Sequence, residues 1–390
     1  MRIFHVIPNL DPSAGGPTTA LIGMASAQAR AGLDVSVLTT WRQGQSPDVD
    51  KGLEQAGVKV TQVGPVAGAL RRHSDLTNQI DRLVGDADVV HIHSVWEEPQ
   101  HLAARAAIKK GKPYIFTPHG MLDPWSLAQK KWKKRLYMAW RLRRDLNQAS
   151  ALHFTTEAER DACRALGLKP QSVVISLGIS WDEFENLPAR DGLRKKYPQI
   201  EDRKVLVFLG RIHPGKGVEY LVPALAQTRT KPVLVVVGPD SNGFRATIEA
   251  TVDQAGVKDR VIFTGMLKGQ DRVAALAGAD LFALPSDHEN FGMSVVESLA
   301  AGTPVIVSNE VALSSDVSSG KVGSVVQRDP KSIAAAIDSW LSDKSELNRV
   351  RDRCRTFARD RFDWTLIAKK WVNFYAQLAG MRNPVPSVTV

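Results

Sequence analysis

The stretch FALPSDHENFGMSVVESLAAGTPVIVSN, Phe282 to Asn309, decides how this chain folds. Phe282-Ala283-Leu284 is a short apolar run that stops at Pro285, and the polar loop Ser286-Asp287-His288-Glu289-Asn290 follows. The pattern then predicts a helix over residues 291–301, ended by Gly302-Thr303-Pro304. Val305-Ile306-Val307 reads as a second buried strand. Strand, loop, helix, tight turn and strand make half of a doubly wound α/β unit. The loop stands at the carboxyl end of a strand, where such folds bind ligands.

Two carboxylates sit in this segment, Glu289 in the loop and Glu297 in the helix. The amides around Asn290, Phe291 and Gly292 open the helix and attract an anion. Gly292 leaves room for a ligand to approach the backbone. Amides for phosphate and carboxylates that accept hydrogen bonds from hydroxyls together describe a nucleotide sugar. A Glu pair taken alone is more often a solvated loop acid and a surface helix acid. Glu297, however, is flanked by Val295, Val296 and Leu299 and is not on an obviously polar face.

Glu289, seven residues and Glu297, inside ENFGMSVVESLAAGTPVI, resemble the signature of retaining glycosyltransferase family 4. The resemblance covers nearly the whole chain and implies the GT-B architecture: two facing Rossmann-like domains, each a doubly wound parallel sheet, with an interdomain cleft. Residues 1–180 are then the acceptor-side domain and 190–363 the nucleotide-sugar domain. A last helix, within 364–380, is expected to pack back on the first domain through Trp371, Phe374, Tyr375 and Leu378.

Composition agrees with a soluble globular protein of two or three domains: 390 residues, 43% hydrophobic and 24% charged. The net charge of +10 calls for an acidic partner without choosing among phosphorylated substrate, anionic lipid and nucleic acid. Cys163 and Cys354 lack metal-ligand spacing and read as free thiols of a reducing cytosol. MRIFHVIP enters a strand directly, with no signal peptide, and no apolar run is long enough to span a bilayer. The last residues, NPVPSVTV, read as a loose tail.

In the N-terminal half, strands are expected at 3–7, 35–40, 58–63, 89–93, 114–117, 151–154 and 173–176, with a helix about 68–84. Gly15 and Gly16 end the first strand-to-helix loop; alone they mark a turn, but the resemblance places such a pair beside the donor phosphates and the acceptor. The loop is not G-x-G-x-x-G, so the dinucleotide fingerprint is absent. His91 and His93 share one face of their strand by alternation. They offer a metal two ligands with no clear third; His93, at the strand end, is an acceptor-side candidate and His91 reads as structural. His119, in Pro118-His119-Gly120, stands at the end of the next strand. Alone it reads as a satisfied loop histidine; the resemblance places it close to the sugar and diphosphate.

QKKWKKRLYMAWRLRRDLNQ, residues 129–148, is the most basic stretch. Trp132, Leu136 and Trp140 share one helix face. An amphipathic helix on an anionic membrane and a core-facing helix with a basic solvated back are equally good readings. Nucleic acid is less favoured, because no binding motif accompanies the patch. Residues 178–188 read as the interdomain linker, with Leu177-Gly178 where the family often carries Asn-Gly.

In the C-terminal half, strands are expected at 205–209, 233–237, 261–264 and 281–284, with helices near 331–342 and 345–361. Arg211 and Lys216 bracket a Gly/Pro turn after the first of these strands, where a diphosphate needs positive charge. By resemblance they hold the diphosphate and neutralise the leaving group, together with the Phe291 and Gly292 amides. Glu297 takes the ribose hydroxyls, Glu289 the donor sugar, and Gly265 and Leu267 border the base. Asp48-Val49-Asp50 and Asp86-Ala87-Asp88 mimic a metal-binding D-x-D in the wrong context, so neither a metal nor a cofactor is expected.

The reading is a metal-independent retaining hexosyltransferase, cytoplasmic or peripheral at a membrane. Its donor is a nucleoside-diphosphate sugar and its acceptor a saccharide or a lipid-linked saccharide, as in cell-envelope polysaccharide synthesis. The resemblance implies front-face attack, with the departing phosphate oxygen taking the acceptor's proton. A sugar-nucleotide epimerase, a phosphorylase and a non-catalytic nucleotide-sugar sensor are the alternatives.

Overall fold

The computed structural model describes residues 1–11, 15–44 and 51–380. The Asp48-Val49-Asp50 triplet, residues 12–14 of the first loop and the NPVPSVTV tail lie outside them. The chain divides into two compact units, Met1–Gly178 with Trp364–Val390, and Ile179–Asp363.

The first unit holds seven parallel strands: β1 (Arg2–Val6), β2 (Asp34–Thr40), β3 (Lys59–Val63), β4 (Val89–His93), β5 (Tyr114–Thr117), β6 (Ala151–Phe154) and β7 (Gln171–Val174). Their order is β3-β2-β1-β4-β5-β6-β7. The winding reverses between β1 and β4, which opens a crevice beyond the strand carboxyl ends. Alternation sends Phe4, Val6, Val90, Ile92, Phe116 and Leu152 into one apolar core. The opposite face carries His5, His91, His93, Thr117 and His153, all fully buried. The register aligns His5 with His91 and His93 with Thr117, so this polar stripe crosses four strands. Helix Trp364–Leu378 lies over it, with the Trp371 and Tyr375 rings against His91.

The second unit holds six parallel strands: β8 (Val205–Leu209), β9 (Val233–Val237), β10 (Val261–Gly265), β11 (Leu281–Leu284), β12 (Val305–Ser308) and β13 (Gly323–Val326). Their order, β10-β9-β8-β11-β12-β13, reverses between β8 and β11. Both central strands are wholly apolar, as strands covered on two faces must be. The Ile179 amide donates to the Phe362 carbonyl at 2.7 Å and ties the first segment of this unit to its last.

Several elements differ from the sequence expectations; β7, for one, lies at Gln171–Val174 rather than 173–176. The helix expected from residue 68 begins at Leu76, because Gly68 and Arg71 both take positive φ and turn the chain first. Strand β13, Gly-Ser-Val-Val, comes after Gly320, opens on its own Gly323, and is too short to announce itself as a strand. The basic stretch is not one regular helix: Lys131–Tyr137 and Arg143–Asn147 flank a turn of π-helix, Met138–Leu142.

Candidate functional site

In the second unit, the loops after β8 and β11 meet at the switch point. Gly217 makes this possible. Its φ is +98°, and a Cβ there would lie 2.6 Å from the Pro285 carbonyl oxygen. The Asp287 amide and the Ser286 hydroxyl both donate to the Gly215 carbonyl, at 2.8 and 3.0 Å. Glu219 accepts from the amides of Gly215 and Gly217 and holds the Arg211–Gly217 turn from behind. Lys216 Nζ is thereby placed 2.6 Å from Glu289 Oε2, with both side chains largely covered. Arg211, on the same turn, is exposed, and its side chain forms no ion pair among the described residues.

Gly292, at φ +93°, precedes the helix Met293–Ala300, which therefore begins two residues later than the apolar pattern suggests. No acidic residue stands in its first turn to compete with an anion. Glu297 is 8% exposed, and its Oε1 accepts from Arg272 at 2.7 Å. Burial raises its carboxyl above the ordinary range, and the Arg272 charge opposes the rise. Arg272, which also pairs with Glu183, carries no signal in the sequence that marks it for this site. It stands 25 positions from Glu297 on another helix, and no local pattern joins them. Gly265 closes β10 with φ +71°, followed by exposed Met266 and half-buried Leu267.

In the first unit, Gly16 opens the helix Gly16–Arg30 and Gly15, at φ +94°, precedes it. His119 turns out of β5 at φ +53° and is half-buried. Buried Glu159 anchors this turn: it accepts from the Gly120 amide at 2.6 Å and from the Thr155 amide and hydroxyl. His93 needs correction as an acceptor-side contact. It is fully buried, with one ring nitrogen on His5 and the other on His119, so it stands behind His119.

His5 is the third neighbour that His91 and His93 lacked in the sequence; ring nitrogens of the three lie within 4.8 Å of one another. All of their nitrogens are already hydrogen-bonded, so a metal there would have to displace those bonds. Asp88 is taken by the Arg2 backbone and guanidinium. Burial holds His5 and His153 down to about 4 and His119 to about 3, and His91 and His93 well below the ordinary value. The thiols of Cys163 and Cys354, both buried and free, are pushed up to about 12.

The basic stretch turns Met138, Leu142 and Leu146 inward and leaves Trp132, Leu136 and Trp140 at 69%, 64% and 66% exposure. Trp125 is exposed as well. Arg141 is held by Glu98 at 2.7 Å and Lys134 by the Ser126 carbonyl at 2.6 Å. Lys130, Lys131, Lys133, Arg135, Arg143 and Arg144 stay exposed. Among the described residues no helix is long and apolar enough to cross a membrane.

Residues 189–361 match the family model for glycosyl transferases group 1, and residues 15–178 match that for the glycosyl transferase 4-like domain. The chain belongs to the group 1 glycosyltransferases. This is a retaining family that draws its sugar from a nucleotide sugar. A D-inositol 3-phosphate glycosyltransferase of Xylanimonas cellulosilytica is 28% identical, over 98% of this chain and 97% of its own. An uncharacterised glycosyltransferase of Methanocaldococcus jannaschii is 32% identical over 54% of this chain, and the match spans about half of its length, 52%. Among solved structures, Anabaena HepE in complex with UDP and glucose superposes with a TM-score of 0.78, covering 97% of this chain and 100% of its own at 21% identity. That likeness speaks for the fold, two parallel sheets in separate α/β units of the GT-B kind.

Proposed function

We propose that this group 1 glycosyltransferase moves a hexose, with retention, from a nucleoside-diphosphate sugar to a saccharide or lipid-linked saccharide at a membrane surface. The observation that carries the donor half is the Lys216–Glu289 pair at the switch point of the second sheet. An ammonium and a carboxylate side by side offer one partner to a diphosphate and one to sugar hydroxyls. Arg211, exposed on the same turn, supplies a second positive charge, and the amides of Phe291 and Gly292 supply uncharged donors. Glu297 takes the ribose hydroxyls, and Gly265 and Leu267 border the base. Gly15, Gly16 and His119 serve the transferring sugar and the acceptor.

The main catalytic contribution in this scheme is electrostatic. Arg211 and Lys216 stabilise the charge that builds on the leaving diphosphate as the glycosidic bond breaks, the task a metal ion performs in other transferases. The departing phosphate oxygen takes the proton of the attacking acceptor hydroxyl on the same face. The acceptor half rests on the surface of the basic stretch, where three large apolar side chains stand exposed among cations. The 28% identical relative is named for an inositol phosphate acceptor, which supports a hydroxylated, phosphorylated acceptor class. A thermal-shift screen of nucleoside-diphosphate sugars, followed by turnover with the best stabiliser, tests the reading. Stabilisation by a nucleotide sugar with transfer to added acceptor is the expected result. Stabilisation with no turnover would make the chain a sensor.

A further inference from the structure

One unbroken line of hydrogen bonds runs through the first unit and ends at His119. Its first member is the backbone carbonyl of Ile175, 2.7 Å from His153 Nε2. His153 Nδ1 meets the Thr117 hydroxyl at 2.8 Å, and that hydroxyl meets His91 Nε2 at 2.6 Å. His91 Nδ1 meets the Tyr375 hydroxyl at 2.7 Å, and Gln28 Nε2 donates to the same hydroxyl at 3.0 Å. Gln28 Oε1 meets His5 Nε2 at 2.8 Å, His5 Nδ1 meets His93 Nε2 at 2.9 Å, and His93 Nδ1 meets His119 Nε2 at 3.1 Å.

A carbonyl oxygen only accepts, and a neutral imidazole carries one donor and one acceptor. His153 Nε2 must therefore hold its proton and leave Nδ1 to accept. Thr117 then donates to His153 and accepts from His91 Nε2–H. His91 Nδ1 accepts from Tyr375, whose oxygen accepts from the Gln28 amide. Gln28 Oε1 accepts from His5 Nε2–H, His5 Nδ1 from His93 Nε2–H, and His93 Nδ1 from His119 Nε2–H. The Gln28 amide is oriented as this direction requires, nitrogen to Tyr375 and oxygen to His5. The reverse direction would need a second proton on His153 and a turned Gln28 amide. Four of the rings are fully buried, and no carboxylate lies in the line to favour a charged imidazole.

We propose that this line of hydrogen bonds fixes the tautomer of His119: Nε2 carries the proton inward to His93, and Nδ1 keeps its lone pair for a ligand. His119 Nδ1 is the one nitrogen of the five rings without a hydrogen-bond partner among the described residues, and it is not sealed off from solvent. The line does not conduct protons. It ends on a carbonyl and passes through an amide, which has no proton to hand on without turning over. Its task is orientation, and Tyr375, Gln28 and His153 are positioning residues that act through His119. Resting on the glycosyltransferase reading, the group that meets Nδ1 is a hydroxyl, which can donate to the lone pair. A phosphate oxygen is turned away, because it has only lone pairs to offer.

The test is the long-range proton–nitrogen correlation spectrum of the full chain labelled with nitrogen-15 histidine, near neutral pH, with His119 assigned by loss of its signals in His119→Gln. The expected pattern for His119 is a pyrrole-type Nε2 and a pyridine-type Nδ1; the opposite pattern overturns the proposal. Tyr375→Phe cuts the line and frees the Gln28 amide to turn. In that variant both His119 tautomers should appear in comparable amounts. A folded Tyr375→Phe protein with the wild-type His119 pattern would show that the tautomer is set locally, against the proposal. Thr117→Val cuts the line nearer its anchor and replaces Tyr375→Phe should that variant fail to fold. The spectrum needs no turnover: the expected pattern in a chain that transfers no sugar supports the tautomer while removing the functional reading.

Discussion

Lys216 Nζ lies 2.6 Å from Glu289 Oε2 across two loops that are 73 residues apart in the chain. Both side chains are roughly three-quarters covered, so the pair is neither a screened surface bridge nor a sealed buried one. A diphosphate placed on Lys216 meets the Glu289 charge as well. Glu289→Gln should therefore leave free nucleoside-diphosphate binding unchanged or somewhat tighter, while turnover falls because the sugar hydroxyls lose their strongest acceptor. Calorimetry and a steady-state assay on the same preparation separate the two effects. Weaker nucleoside-diphosphate binding in Glu289→Gln would mean that this carboxylate serves the nucleotide instead.

Arg211 and Lys216 differ in what their removal leaves behind. Arg211→Ala takes away one exposed cation that forms no ion pair among the described residues and should weaken nucleoside-diphosphate binding by about 1.5–3 kcal/mol, the scale of a hydrogen bond to a charged group. Lys216→Ala also strands Glu289 beside the phosphates, so its loss should be the larger. Adding Glu289→Gln to Lys216→Ala should recover part of that loss. Titration calorimetry on the four proteins reads the ordering directly, and wild-type affinity in both single variants would take the pair out of the site.

Glu297→Gln should weaken binding of the nucleotide itself, because its proposed partners are ribose hydroxyls. The neutral amide also leaves the Arg272 Nη1 donor facing a poorer acceptor, so stability should fall by about 1–3 kcal/mol. Chemical denaturation without ligand isolates that structural part. An affinity unchanged toward the nucleoside diphosphate would return Glu297 to a purely structural role.

Much of this architecture is legible in the sequence because buried parallel strands are nearly continuous apolar runs, and Val233–Val237 or Leu281–Leu284 admit little else. Strand β13 lacks that signal, since a short edge strand needs no apolar face on both sides. The histidine line was half visible. Alternation puts His91 and His93 on one face, but His5 and His153 join them only once the strand order is known. Glu159 left a trace: Thr156 and Glu159 have the spacing of a capping box, and Thr156 does cap the helix. The Glu159 side chain reaches to Gly120 instead, which no local pattern announces. The exposure of Trp132 and Trp140 was undecided in the sequence, because a tryptophan stripe serves a core and a membrane equally well.

The same histidine line makes the first unit sensitive to acid. His5 and His153 titrate near 4 in the folded chain, and His91 and His93 well below the ordinary value, because burial disfavours their charged forms. Unfolded histidines titrate at about 6.5. Below that pH the unfolded chain binds more protons than the folded one, so stability is full above about 6.5 and is lost as the pH falls toward 4. His5 and His153 each contribute a slope of at most about 1.4 kcal/mol per pH unit inside that window, and His91 and His93 act in the same direction. Denaturant titrations at steps between pH 7 and 4.5 should show unfolding linked to uptake of several protons. A stability flat across this range would mean that the rings take up protons in the folded chain as readily as in the unfolded one.

The exposed tryptophans make the membrane prediction specific. An apolar stripe that packed inside would leave only electrostatic attraction, which salt removes. Trp132, Leu136 and Trp140 instead stand in solvent beside Lys131, Lys133 and Arg135, so apolar insertion and charge act together. Each exposed cation near an anionic surface contributes about 1 kcal/mol. Arg141 and Lys134 are excluded from that sum, because Glu98 and Ser126 hold them. Cosedimentation should recover the protein with anionic vesicles at low salt and, in smaller part, at moderate salt. Replacing Trp132 and Trp140 with Ala should leave low-salt binding but abolish the part that survives moderate salt. Neither change touches the apolar core, since both side chains are exposed, so circular dichroism should be unaltered. Equal recovery with neutral and anionic vesicles, or none even at low salt, would return the stretch to a solvated surface and point to a soluble acceptor.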